Sequence, residues 1–230
     1  MVRITRVHTG TGDGGSTSMV DGTRVSKADP RMVAVGMVDG LNSMVGVCIM
    51  EVARLPSIHQ DGGPMTHADR LKEHLLVKLR RRQHELFDLG AELACPASSI
   101  PEGMALLGEE ESDRLLEEME SLLEDVPDLT SFILPTGPSP AAFLHMVRTL
   151  ARDLERHLVR LREHHGFDVR PVILQYVNRL SDWAFVLARH TTLGLGGTES
   201  LWVPKSGREM GTPPGNDLDE VLEEVLDGQE

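Results

Sequence analysis

Aromatic residues are scarce in this 230-residue chain, at 3%. That shortage leaves an apolar content of 40% to be met mostly by Leu, Val, Ala and Met, a mixture that suits helices better than sheets. Cysteine is scarce too. Cys48 and Cys95 both sit among apolar residues, which excludes a disulfide framework and points to core packing in a reducing compartment. Positive charge is in deficit, with 23 Lys and Arg against 36 Asp and Glu, a net −13 that argues against a nucleic-acid partner. No run of 18 consecutive apolar residues occurs, and the opening MVRITRVHTG has no apolar signal core. The expectation is a soluble, cytoplasmic chain with no membrane partner. Catalytic signatures are missing as well. Ten histidines include no H-E-x-x-H and no E-x-x-H pair, no metal-ligand set is evident, and no G-x-S-x-G elbow is present.

What is present is helical periodicity. The first 27 residues read as loop, centred on HTGTGDGGSTS. Asp29-Pro30 supplies a cap and a first-turn proline for an apolar helix from Met32 to about Val52. Thr66 can cap a second helix reaching about Ala94, with Leu71, Leu75, Leu79, Leu86, Leu89 and Leu93 at helical spacing. A short acidic helix spans about Glu109 to Leu123. Ser139-Pro140 opens a fourth, to about His165, striped by Leu144, Val147, Ala151, Leu154, Leu158 and Leu161. The fifth runs from Pro171 to about Leu193. Nothing alternates with period two, so the fold class is all-α, a five-helix bundle. Residues 1–193 form this bundle domain with its N-terminal loop, and 194–230 read as a Gly/Pro-rich acidic tail of flexible connection.

Three places carry chemistry. The N-terminal loop presents glycines, which let backbone N–H groups close on an anion, with Thr9, Thr11, Thr17, Ser18 and then Lys27 as further donors. It is no Walker A loop, and by itself it fits either a mobile terminus or a phosphate loop. On the fourth helix, Arg148, Arg152 and Arg156 recur at i, i+4, i+8, so three guanidiniums share a face. Such a row can bind phosphate oxygens, or be a solvated face paired with Asp153 and Glu155. On the fifth, Asn178 and Asp182 interrupt an apolar sequence, which costs about 1–3 kcal/mol each if they are buried without partners.

Four blocks in order, TGTGDGGSTS with RVSKADPR, AVGMVDGLNSMVG, FILPTGPSPAAFLHMVRTLARDLER and YVNRLSDWAFVLAR, resemble the PduO-type ATP:cob(I)alamin adenosyltransferases across about Thr9 to Arg189. The resemblance implies a ferritin-like, cobalamin adenosyltransferase-like bundle assembled as a homotrimer, with a site at each subunit interface. It implies transfer of the 5′-deoxyadenosyl group of ATP to cob(I)alamin, with Mg²⁺ and release of triphosphate. By the family pattern, Thr9, Thr11, Gly12, Asp13, Gly15, Thr17, Ser18, Lys27, Arg152, Glu155, Arg156 and Asn178 hold ATP. Arg148, Asp182 and Phe132 serve catalysis, Asp182 on the corrinoid side and Phe132 on the lower axial face of cobalt. Asp39 pairs with Arg152 across the interface. A cob(II)alamin reductase and adenosylcobalamin-dependent enzymes are the implied partners.

The absent nucleophile and base then make sense, because cob(I)alamin is itself the nucleophile. Three departures from the family pattern stand out: Gly40 where Glu is usual, Gly10 where a basic residue is common, and Asp153 at an often basic position. The alternative functions are a non-catalytic ATP- or corrinoid-binding carrier or regulatory bundle, and a plain helical interaction protein. Retention of Phe132, Arg148, Arg156 and Asp182 argues against both.

Overall fold

Two prolines open helices where the sequence puts them. Pro30 starts α1 (Pro30–Ala53), capped by Asp29, whose Oδ1 accepts from the Arg31 N–H at 2.8 Å. Pro171 starts α5 (Pro171–Gly194). Between them lie α2 (Thr66–Leu93), α3 (Glu109–Leu123) and α4 (Ser139–His164), all within two residues of the bounds that periodicity predicts. In α3, Glu111 reaches back to accept from the Gly108 N–H at 2.7 Å, half of a capping box. Ser139 does not cap α4 with its hydroxyl, which donates instead to Glu51 on α1 at 2.7 Å. The computed structural model describes residues 8, 10–57, 63, 66–96, 99–164 and 167–205. The side chain of Thr66, the expected cap of α2, lies outside the described residues.

One expectation fails in the N-terminal stretch. Residues 16–18 and 24–26 form a small antiparallel hairpin, β1 (Ser16–Ser18) and β2 (Arg24–Ser26), with Thr17 opposite Val25. Three residues per strand are too few to show an alternating pattern, so a loop was the natural reading.

Contacts between helices fix their directions. His157 on α4 bonds the Pro30 carbonyl at 2.8 Å, while Ser139 meets Glu51, so α1 and α4 run antiparallel. Asn42 and Gln83 exchange bonds between α1 and α2. The bundle therefore has two distinct ends. One gathers the start of α1 and the finish of α2 and α4. The other gathers the finish of α1 and α5 and the start of α4, roughly 39 Å away along a 26-residue helix.

The leucine stripes of α2 and α4 are buried as the spacing requires. Cys48 and Cys95 are buried and free, and burial pushes the Cys48 thiol up to about 12. Less expected is a charged cluster between α2, α3 and α5. Arg82 is fully buried, lying 3.2 Å from Glu85 and 3.6 Å from Glu118, with its guanidinium over the Trp183 ring. The Trp183 indole donates to Glu118 and the Tyr176 hydroxyl to Glu85, both at 2.8 Å. Burial pushes the Glu85 carboxyl upward, against the pull of Arg82.

Helix α1 is long and apolar enough, by length and composition alone, to cross a membrane. Ala34, Val38, Leu41, Val45, Cys48 and Val52 turn into the bundle, while Val33 and Met50 on other faces stay exposed. The apolarity thus extends beyond the core stripe, leaving Val33 and Met50 on the surface.

Candidate active site

The hairpin end is built from turns and hydroxyls. Gly10 and Gly15 adopt φ of +70° and +80°, conformations open to glycine and costly for side chains. At Gly10, where the resemblance leads one to expect a basic residue, the backbone conformation favours glycine. The Lys27 N–H donates to the Gly15 carbonyl at 2.9 Å, closing the loop over its base. A Cβ on Gly12 would come within 3.1 Å of the Lys27 ammonium, so glycine there admits the lysine. Arg24, which the sequence reading passed over, donates to the Thr11 carbonyl at 2.9 Å and also contacts the hydroxyls of Ser16 and Ser18. Thr11, Asp13, Ser18 and Lys27 are exposed, and Thr17 is half-buried. Thr9 lies outside the described residues. The loop rests against the finish of α2, where Val20 N–H meets the Ala94 carbonyl at 3.2 Å.

Midway along the bundle, the arginine row does lie along α4. Arg148 is half-buried with its Nε unpartnered, and burial followed by the neighbouring Arg152 lowers its pKa. Arg152 is exposed, Glu155 half-buried. Arg156 is exposed and pairs with Asp153 at 2.9 Å, so Asp153 takes up one charge of the row. On α5, Asn178 and Asp182 are both exposed, which removes the burial cost considered for them. Asp39 is exposed on α1 and borders a groove of about 390 Å³ with Met32, Gly36, Asn42 and the exposed Phe87. Nothing stands within 4 Å of a Cβ at Gly40, so this glycine leaves open space where a longer side chain fits.

The other end holds Phe132, 76% exposed on the segment leading into α4. The expected flexible connection after Gly194 is not what residues 195–205 form. Ile133 pairs with Leu201 in an antiparallel bridge. The Leu134 N–H donates to the Ser200 carbonyl at 2.8 Å, and the Trp202 N–H to the Phe132 carbonyl at 2.7 Å. The described residues continue through Lys205, about a dozen past the predicted boundary. The rest of the tail lies outside the described residues.

Sequence reasoning also missed His145 and Arg189. His145 is buried one turn before Arg148 with its Nδ1 unpartnered, and burial first, then Arg148, lowers its pKa to about 4. Arg189 is 4% exposed and grips Glu199 with two bonds of 2.6 and 2.9 Å. The signal for both was available: a polar or charged residue inside an apolar helical stripe is costly to bury, and a charged one such as Arg189 requires a partner. Among the described residues, no group of three or more His, Cys, Asp and Glu is placed to hold a metal ion.

Known proteins place this arrangement. The family model described as cobalamin adenosyltransferase matches residues 7–191. A cobalamin adenosyltransferase of Cupriavidus metallidurans is 38% identical over 200 residues, covering 87% of this chain and 95% of that protein. A corrinoid adenosyltransferase of Mycobacterium leprae is 34% identical over 207 residues, covering 88% and 98%. Among solved structures, a phenylalanine-to-alanine variant of the PduO-type ATP:corrinoid adenosyltransferase of Lactobacillus reuteri, complexed with cobalamin and ATP, aligns with a TM-score of 0.74. It is 30% identical and covers 86% of this chain and all of that one. An arginine-to-lysine variant of the same enzyme, complexed with ATP, aligns at 0.72. By its sequence, the five helices of its described residues and its relatives, the chain belongs to the cobalamin adenosyltransferase family.

Proposed function

We propose that this protein transfers the 5′-deoxyadenosyl group of ATP to cob(I)alamin, yielding adenosylcobalamin and triphosphate. The observation that carries the reading is the α4 row, Arg148, Arg152 and Arg156, in a chain of this family. The Co–C bond forms as the C5′–O bond breaks, and the electron pair leaves with triphosphate. No side chain has to act as nucleophile or base. What the protein supplies is alignment and charge: loop N–H groups, Lys27 and the arginines cradle the departing anion, while Asn178 holds the nucleoside and Asp182 the corrinoid side. Phe132 presents an exposed ring to the lower face of the corrin, excluding water and the tail base.

Mg²⁺ would arrive on the triphosphate, held largely by phosphate oxygens and water, with a carboxylate such as Glu155 nearby; among the described residues no cluster of three His, Cys, Asp or Glu offers it a protein site. A homotrimer with shared sites is supported by two features. The loop and Phe132 lie at opposite ends of one chain, and the exposed Asp39 borders a groove lined by Met32, Val35 and the exposed Phe87. An Asp39–Arg152 pair between subunits fits the exposure of both residues within one chain. A cytoplasmic setting and a cob(II)alamin reductase complete the reading.

The test is an anaerobic assay with ATP, Mg²⁺ and chemically reduced cobalamin, following loss of the cob(I) absorption. Stoichiometric adenosylcobalamin and triphosphate are expected. Tight binding of both substrates without turnover would instead make the chain a carrier. Light scattering should give about three times the chain mass.

A further inference from the structure

We infer that Trp202 is a positioning residue for Phe132, and that residues 195–203 form a strap by which α5 sets the placement of that ring. The inference rests on the reaction proposed above. Phe132 is 76% exposed, so packing against the bundle does little to hold it. Its position comes from the strap. Two backbone bonds, Trp202 N–H to the Phe132 carbonyl and Leu134 N–H to the Ser200 carbonyl, bracket the Ile133–Leu201 bridge. The Ser131 hydroxyl adds a bond to the Trp202 carbonyl at 3.0 Å. The Trp202 ring meets Phe132 edge-on, with centroids 6.2 Å apart and planes at 71°, a favoured aromatic geometry that restricts the rotation of the smaller ring.

The strap is anchored rather than draped. Glu199 receives both bonds of the buried Arg189 fork, and the same guanidinium donates to the Pro127 carbonyl at 2.8 Å. One α5 side chain thus clamps the start of the Phe132 segment and the strap that returns to it. At the turn into the strap, Gly197 N–H bonds the Thr192 carbonyl at 2.9 Å, and a Cβ there would come within 3.1 Å of that oxygen. Trp202 and Glu199 both lie beyond the residues that the family model matches.

For a ring that must press on the lower face of a corrin, orientation decides the outcome. A loosened ring readmits an axial ligand, which makes Co(II) harder to reduce. Attack by cobalt already reduced does not need the ring. Trp202→Ala should therefore lower the rate about tenfold or more when a reductant generates cob(I)alamin in situ, and by less than about threefold when it is supplied pre-reduced. The four-coordinate Co(II) signal of the ATP-bound protein should shrink, and Trp202→Phe should restore most of it. Glu199→Gln, which keeps shape and loses charge, should show the same split in weaker form. Amide hydrogen exchange of 128–136 should quicken in Trp202→Ala while that of α4 stays unchanged.

A folded Trp202→Ala protein with equal losses in both assays, an intact four-coordinate signal and unchanged exchange would overturn the inference. If Trp202→Ala does not fold, Glu199→Gln decides by the same readouts, and absence of the split there overturns it. Exchange separates the two readings. If the native protein fails to turn over pre-reduced cobalamin, the proposed reaction falls, and unaltered exchange in the variants would remove the strap as well.

Discussion

The two ends of the bundle are built on different principles. At the hairpin end, exposed hydroxyls, positive-φ glycines and Arg24 make a polar frame held mainly by backbone turns. At the Phe132 end, a buried bidentate ion pair, a β-bridge and a pair of aromatic rings make the frame. The first is a surface suited to a charged ligand, since Thr11, Ser18 and Lys27 are exposed. The second is complete before any ligand arrives. A highly charged anion can organise its own site, whereas an apolar ring gains nothing from a ligand until its place is already set.

Removing one arginine from each end tests this contrast most strongly. Arg189→Ala leaves Glu199 without its partner in a largely buried position, and unfolding in denaturant should show a loss of about 3–5 kcal/mol. Arg24→Ala, at an exposed position, should cost less than about 1 kcal/mol by the same measurement. Equal costs would erase the distinction between the ends.

Next in size are effects on the substrate alone. Lys27→Ala should lower kcat/KM for ATP by the equivalent of about 1.5–3 kcal/mol, the worth of a charged hydrogen bond, with an unchanged melting temperature. Arg152→Ala should do the same, with Arg160→Ala as an exposed control of little effect. If Arg152 and Arg160 behave alike in steady-state kinetics, the row is only a solvated face. Gly12→Ala should be milder. Its new methyl displaces the lysine ammonium by a few tenths of an ångström, so KM for ATP should rise several-fold while kcat holds.

The smallest effect concerns pH and belongs to the Phe132 end. His145 titrates near 4 in the folded chain against 6.5 ordinarily. Between those values the unfolded chain binds a proton that the folded chain does not, so stability rises with pH across that window and is lost on acidification. His145→Leu should therefore make the fall in melting temperature between pH 6.5 and 4 shallower. Some slope should remain, because burial also lowers His74 and His190. An unaltered slope would mean that this imidazole is wetter than its 5% exposure implies.

The helices were legible because caps, first-turn prolines and leucine spacing all act locally. The arginine row was legible for the same reason, as i, i+4, i+8 spacing is a geometric fact of any helix. What escaped was long-range. Glu199 and Trp202 sit in a glycine-rich stretch whose composition suggests slack chain, and only the fold brings them to Arg189 and Phe132. Arg82 was hidden in the run KLRRRQ, which looks like a solvated surface until α3 closes over it. The uses of Asp39 and Asp182 are equally invisible to local pattern, since among the described residues no hydrogen bond or ion pair engages either side chain.

The buried cluster around Arg82 also bears on how the chain folds. The pairs α1 with α2 and α4 with α5 join neighbours in sequence, and such hairpins close quickly. Glu118 and Trp183, by contrast, are 65 positions apart, and Arg82 must shed its water before it can meet Glu118. A partly docked state would carry the desolvation cost with little of the attraction, so α2, α3 and α5 should come together late and as a unit. Slow closure then gives the assembled bundle a long lifetime, since the same barrier must be crossed in reverse to open it. Apolar replacement of that cluster would speed assembly and shorten the residence of the folded state, even where equilibrium stability is unaltered.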